Sequence, residues 1–277
     1  MAERSRKVPT PSFAPVTVVI PCYQDSATVQ RAVTSALEQT WPPAEIIVVD
    51  DASDDLATAE VIRVMETDRE QSAVRIVRLA KNVGPAGARN EGWALSSQRY
   101  IAFLDSDDAW HPQKLELQLT AMLEEKAAIS GHDFAVWAPA SSSVAEFRTP
   151  TRRTLSPQQL LFRNWYPTPT VILRSSIRHR FNPELRFCED YDLWLRIALD
   201  GNQCQYLPLP LAYNFKEHFG SSGLSSQLRR METAQVAVYR NLHSERKIST
   251  ANYILLRVWG TIRFVRRVAI ASVFHRR

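Results

Sequence analysis

The stretch that decides the fold is Val16–Asp51, "VTVVIPCYQDSATVQRAVTSALEQTWPPAEIIVVDD". It opens with a β-branched run, Val16–Ile20, that stops at Pro21, as a buried strand does. Within the following polar stretch, Val29, Ala32, Val33, Ala36 and Leu37 recur at i, i+3, i+4, i+7 and i+8, one face of a helix that Asp25 or Ser26 can cap. A second apolar run, Glu45–Val49, then ends in two carboxylates, Asp50 and Asp51. Strand, helix, strand at this spacing predicts a βαβ unit and a parallel sheet.

The pattern continues outward. A helix is expected near Ala57–Met65, a third strand at Val74–Leu79 and a helix over "GPAGARNEGWALS" (Gly84–Ser96). A fourth strand follows at Arg99–Leu104. Then comes a helix over "HPQKLELQLTAMLEE" (His111–Glu125), with Pro112 expected at its first position and Leu115, Leu119 and Met122 on its apolar face. Beyond about residue 125 the alternation fades. A strand pair is expected from Phe134–Trp137 and Thr170–Leu173, a surface loop over Ala140–Arg153, and an amphipathic helix over Cys188–Gly201. Ligands of such sheets bind beyond the carboxyl ends of the strands. The loops there are "PCYQD", "DDASDD", "AKNVG" and "DSDDAW", and three of the four carry carboxylates.

Composition bounds the class. The chain has 277 residues, 45% hydrophobic and 23% charged, enough for one large α/β domain with an extension. Three scattered cysteines, Cys22, Cys188 and Cys204, suit neither a disulfide framework nor a zinc site and read as free thiols in a reducing compartment. The first residues contain no apolar core of a signal peptide. No G-x-G-x-x-G follows the first strand, and no G-x-x-x-x-G-K-[ST] occurs, which disfavours a dinucleotide fold or a P-loop. Eight of the 34 basic residues lie from Arg246 onward, where there is no acid, so the rest of the chain holds 26 basic against 29 acidic residues. A slightly acidic body without a recognised motif argues against nucleic acid as partner.

Asp105-Ser106-Asp107 places two carboxylates on alternate residues, so both can point to one side of an extended segment. Like charges in one pocket need a cation between them, and a hard divalent ion suits oxygen ligands while keeping positions for water and phosphate. The alternative is that these residues, Asp108 above all, cap the next helix. Asp50 and Asp51 can accept hydrogen bonds from a uracil imide or ribose hydroxyls, or can serve loop and cap chemistry alone. Asp190 can be a general base or the N-cap of the helix that follows it.

Four ordered blocks carry a resemblance: "VVIPCYQD…EIIVVDDASDD", "NVGPAGARNEGW", "YIAFLDSDDAWHPQKLE" and "EDYDLWLRIALDG". Over roughly residues 14–226 the chain resembles family 2 glycosyltransferases of the inverting, bacterial polysaccharide-biosynthesis type. The resemblance implies the GT-A fold, a Rossmann-like, mostly parallel sheet flanked by helices. It divides the chain into a tail at 1–13, a glycosyltransferase domain at 14–226 (nucleotide-sugar half 14–125, acceptor half 126–226) and a basic, helical C-terminal extension at 227–277. It implies that Pro21, Tyr23, Asp50, Asp51, Arg89, Asp105, Ser106 and Asp107 bind the donor. Asp107 and Asp105 would hold Mn²⁺ or Mg²⁺, with His218 closing over the metal. Asp190 would be the catalytic base, and Glu189 and Trp110 would meet the acceptor. The block around His218 departs from the commonest family spacing, and the "GGFD" that often precedes the "ED" pair is replaced by "HRFNPELRFCED".

The implied reaction moves a sugar from a nucleotide sugar, UDP-linked, to a saccharide or polyprenyl-diphosphate-linked acceptor in cell-surface polysaccharide synthesis, on the cytoplasmic side of the membrane. The rival readings are a non-catalytic sugar-nucleotide-binding scaffold of a polysaccharide assembly complex and a metal-dependent nucleotidyltransferase. A haloacid-dehalogenase-type hydrolase would want its D-x-D after the first strand, not the fourth. In the extension, Ile254, Val258, Ile262, Val265, Ala269 and Val273 form one helical stripe, with Arg263, Arg266 and Arg267 on another side. That pattern predicts a helix lying in a membrane interface through residues 250–277. A helix packed on the domain, or one that self-associates, is the alternative.

Overall fold

The computed structural model describes residues 12–67, 73–137, 147, 151–215 and 224–274. The βαβ reading of the first half is realised. Strand β1 (Ala14–Cys22), helix α1 (Val29–Leu37), β2 (Pro43–Asp50), α2 (Leu56–Thr67), β3 (Val74–Arg78), α3 (Gly84–Ala94) and β4 (Tyr100–Phe103) follow one another. A short β5 (Asp108–Trp110), α4 (Lys114–Glu125), β6 (Ile129–Val136), β7 (Arg153–Leu155), α5 (Pro157–Phe162) and β8 (Ile172–Arg174) come next. The chain continues with α6 (Glu189–Leu199), β9 (Cys204–Asn214), α7 (Leu224–Ser244) and α8 (Thr250–Phe274).

The strands make one sheet in the order β3-β2-β1-β4-β8-β6-β9-β5, with β7 paired to β9. β1 to β4 run parallel to one another, whereas β8 is antiparallel to β4. β1 lies between β2 and β4, so the chain reverses its direction of travel across the sheet there. A switch point of this kind opens a crevice at the carboxyl ends of the strands.

Alternation sorts the core. Val19, Ile47, Val49, Ile101 and Phe103 face one layer, together with α3 and α6. Val18, Ile20, Ile46, Val48, Ala102 and Leu104 face the other, together with α1 and α4. The centres of β1, β2 and β4 are apolar runs because both faces are covered, whereas the edge strand β3 carries Arg75 and Arg78. Gly92 lets α3 approach this sheet, since a Cβ there would clash with the Val19 side chain.

Local expectations are corrected at several places. Thr28, not Asp25 or Ser26, is the N-cap residue of α1, and Asp25 contributes its backbone carbonyl to the Val29 amide. Gln113 precedes the first residue of α4, so Pro112 lies outside the helix. Asp108 begins β5, paired with Asn214, and the N-cap residue of α4 is Gln113. The strand pair of the second half meets at Ile129↔Leu173 and Ser130↔Ile172, N-terminal to Phe134, which pairs instead with Ala212 of β9. Residues 140–146 and 148–150 of the expected surface loop, and His218, lie outside the described residues. The three cysteines are free.

Candidate functional site

Three loops at the carboxyl ends of β1, β2 and β4 meet the start of α6. Asp50 ends β2 opposite Cys22 of β1. It is buried and accepts a hydrogen bond from the Ser53 amide at 3.0 Å. Next to it, Asp51 spends both carboxylate oxygens on the fold: Oδ1 accepts from the Val83 amide at 2.7 Å and Oδ2 from the Gly84 amide at 2.8 Å. These are unsatisfied donors at the N-terminus of α3, so Asp51 braces that helix. Burial raises its pKa, and the two amides oppose the rise. Asp51, expected at the donor, thus stands at the α3 N-terminus with both oxygens engaged by backbone amides.

The loop after β4 is held from two sides. Ser106 Oγ donates to Asp25 Oδ2 at 2.5 Å, and Arg31 of α1 donates to the Asp107 carbonyl at 2.7 Å. Pro21 is partly buried and Tyr23 is exposed at the end of β1. Backbone strain concentrates here. Gln24, Ala52 and Cys188, non-glycine residues at φ of 51°, 60° and 59°, lie in the loops after β1 and β2 and immediately before α6. Such residues persist where the surroundings over-determine them, often at binding sites.

Arg89 of α3 occupies the centre. Its side chain is 6% exposed and pairs with Asp105 at 2.6 Å and Glu189 at 3.2 Å. The guanidinium also lies 5.5 Å from the Phe181 ring centre. A buried arginine with two carboxylate partners is fixed in place. Arg89, expected at the donor, joins the D-x-D loop to the first residue of α6, and Glu189, expected at the acceptor, is its partner there.

Asp190 follows Glu189 in the first turn of α6, whose N-cap residue is Cys188, so Asp190 is not a cap. Its Oδ1 accepts from the Tyr191 amide at 2.6 Å, and Oδ2 accepts from Asn164 at 3.2 Å and from Thr168 at 3.4 Å. Burial first, then the neighbouring Glu189 charge, push its pKa up to about 6; the Tyr191 amide, Arg89 and Asn164 oppose the rise. This is a carboxylate poised near neutrality, as a general base requires. The sequence does not single out Asn164, Thr168 and Arg31, and marks Asp25 only as a loop and cap residue; the folded chain brings them to the site.

Trp110, expected at the acceptor, ends β5 with its side chain 4% exposed; it donates its indole N–H to the Pro169 carbonyl at 2.8 Å and lies 4.0 Å below the Lys114 ammonium.

Among the described residues, no group of three or more His, Cys, Asp or Glu side chains converges as a metal cage. The D-x-D loop nonetheless fits a hard divalent cation. It offers carboxylate oxygen without thiolate or imidazole, the donor set for Mg²⁺ or Mn²⁺, which take water and substrate phosphate in their remaining positions.

Fold and site together define a GT-A glycosyltransferase. The family model for glycosyl transferase family 2 matches residues 17–180, and the chain belongs to that family. It is 32% identical over 187 residues, 68% of this chain and 71% of the relative, to the Escherichia coli UDP-Glc:alpha-D-GlcNAc-diphosphoundecaprenol beta-1,3-glucosyltransferase WfgD. Its fold resembles S. aureus TarS 1–349 in complex with UDP-GlcNAc, with a TM-score of 0.63, 18% identity, and coverage of 87% of this chain and 70% of that one. It also resembles the Pyrobaculum calidifontis mannosyltransferase PcManGT in complex with GDP-Man and Mn²⁺, with a TM-score of 0.62, 16% identity, and coverage of 95% and 78%.

Proposed function

We propose that this glycosyltransferase moves a sugar, with inversion, from a UDP-sugar to a saccharide carried on a lipid diphosphate, as a step in cell-surface polysaccharide synthesis. The observation that carries the reading is the placement of Asp190. A carboxylate with a pKa raised to about 6 stands at the start of α6, tied through Glu189 and Arg89 to the D-x-D loop. The relative WfgD is named for a UDP-Glc donor and a diphosphoundecaprenol-linked acceptor, and TarS was solved with UDP-GlcNAc, which supports both substrate classes.

In this mechanism Asp50 accepts the uracil imide N–H, with Pro21 and Tyr23 flanking the base. Ser106, oriented by Asp25, faces the sugar-phosphate side. A divalent metal, held by Asp107 with Asp105 supporting it and His218 as a further candidate ligand, would neutralise the charge of the departing diphosphate. Asp190 accepts the proton of the acceptor hydroxyl as its oxygen bonds to the anomeric carbon and the bond from that carbon to the UDP oxygen breaks. UDP leaves with the electron pair, and no covalent enzyme intermediate forms. Asn164 and Thr168 hold Asp190 toward the acceptor hydroxyl. Arg89 keeps donor loop and base helix in register, the positioning on which in-line transfer depends. The reading puts the reaction at the cytoplasmic face of a membrane, with peripheral contact through residues 250–277.

Incubating the protein with a panel of UDP-sugars, Mn²⁺ and a lipid-diphosphate-linked monosaccharide, with product read by mass spectrometry, tests the proposal. One added hexose mass with wild type, formed about a hundredfold or more slower with Asp190→Asn, is expected. Release of UDP with no glycosylated product from any lipid-linked acceptor would remove the acceptor assignment.

A further inference from the structure

Helix α8 is fixed to the body along one side. Lys247, just before it, pairs with Asp200 at the C-terminal end of α6. Midway, Trp259 Nε1 and Arg263 Nη1 both donate to the Phe162 carbonyl at the end of α5, at 3.4 and 2.9 Å. Leu256 is buried, and Gly260 is buried against α7, where an added Cβ would stand 3.1 Å from a Glu232 carboxylate oxygen. Further on, the Arg267 guanidinium acts electrostatically on Glu232 and on Cys188, the residue before Glu189 and Asp190. The helix thus runs along α6 from its C-terminal end to its N-terminal end, where the site lies.

The opposite side of α8 is bare. Ile254, Leu255, Val258, Ile262 and Val265 are 57%, 52%, 54%, 56% and 59% exposed. At about 100° of rotation per residue these five fall within an arc about 100° wide, with Arg257 at one border and Arg266 and Trp259 at the other. No helix among the described residues is long and apolar enough to cross a membrane. The helix therefore packs on the domain with one side, one of the expected alternatives, and leaves an apolar arc outward on the other.

We propose that this outward arc of α8 docks on an anionic lipid bilayer and that the attachment of the helix to α5 and α7, with Lys247 tied to Asp200 just before it, then sets the catalytic mouth at the membrane surface. Charge selects the occupant. From Arg246 to the end the chain carries eight basic and no acidic residues. Two copies packed through this face would bring like charges together, whereas an anionic headgroup layer complements them while the aliphatic arc enters the acyl boundary. The bilayer contact rests on α8 alone; the delivery of a lipid-linked acceptor to Asp190 rests on the proposed function.

The test is co-sedimentation of the full chain with vesicles of phosphatidylcholine, with and without a third of phosphatidylglycerol. Wild type is expected to pellet with the anionic vesicles, less so at high salt and with neutral vesicles. Val258→Glu/Ile262→Glu is expected to lose roughly tenfold or more of that binding. Its UDP affinity and its transfer to a short, water-soluble acceptor analogue should be unchanged, while transfer to the long-chain acceptor in vesicles falls. Equal binding by the double variant, or no binding by wild type, would overturn the proposal. So would a wild-type dimer that the double variant converts to monomer, which would assign the face to a second copy. Vesicle binding by a wild type that binds no UDP would leave the docking intact and remove the glycosyltransfer reading instead.

Discussion

Replacing Asp190 by Asn keeps the size of the side chain and removes the base. General-base catalysis contributes about 10²–10⁴-fold, so Asp190→Asn is expected to lower kcat by that range with UDP affinity unchanged, read by steady-state kinetics beside a binding titration. The pH dependence has a definite sign. The base works ionised, and its pKa is raised to about 6 by burial and Glu189. The rate should therefore rise about tenfold per pH unit below roughly 6 and level off above it. A profile flat from about pH 5 to 7 would deny Asp190 the role. Arg89 makes a different prediction. Arg89→Ala leaves Asp105 and Glu189 facing each other without their cation. The loss should be about 3 kcal/mol, the low end for breaking a buried pair because Asp105 retains solvent contact. Arg89→Lys, which cannot bridge two carboxylates as a planar fork does, should recover stability in part and kcat hardly at all. Chemical denaturation and kinetics on the same samples separate the two effects. The carboxylates themselves were legible in the sequence because their loops follow apolar strands. Their partners were not: Asp51 meets Val83 and Gly84, and Arg89 meets Glu189 a hundred residues away, pairings that only tertiary structure makes.

At the scale of elements, β1 to β4 and α1 to α4 were legible because short apolar runs alternate with segments of helical period from residue 16 to about 125; only the short β5 escaped that reading. Strands β6, β8 and β9 were harder. β8 has three residues, and β9 carries Pro208 and Pro210, which blur its reading as a strand. Trp110 shows the limit of motif reading. Its position after the D-x-D loop suggested substrate contact, yet β5 turns it into the core between Lys114 and Pro169. Trp110→Ala should cost about 3–5 kcal/mol, as large-to-small core changes do. Trp110→Phe should leave the acceptor KM unchanged, and a several-fold rise in KM without loss of stability would return Trp110 to the acceptor site. Gly92→Ala, which drives a methyl into Val19, should lower stability by about 1–3 kcal/mol through the α3–β1 contact. Thermal unfolding measures both.

Across the whole molecule, the sheet changes character at the β4–β8 edge. The parallel side presents carboxylates at its strand ends, and the mixed side supplies α6 with Asp190. Arg89 is the tie between the two sides, so the D-x-D loop and the helix that carries the proposed base are held as one unit. The central claim is that this unit binds a nucleoside diphosphate through a metal on the D-x-D loop. Calorimetric titration of UDP into the full chain, with and without Mn²⁺, tests it most directly, with Asp107→Asn alongside. The account predicts UDP binding that tightens tenfold or more with Mn²⁺ in the wild type and loses that gain in Asp107→Asn. UDP binding indifferent to Mn²⁺ in the wild type, or a full Mn²⁺ effect in Asp107→Asn, would contradict it.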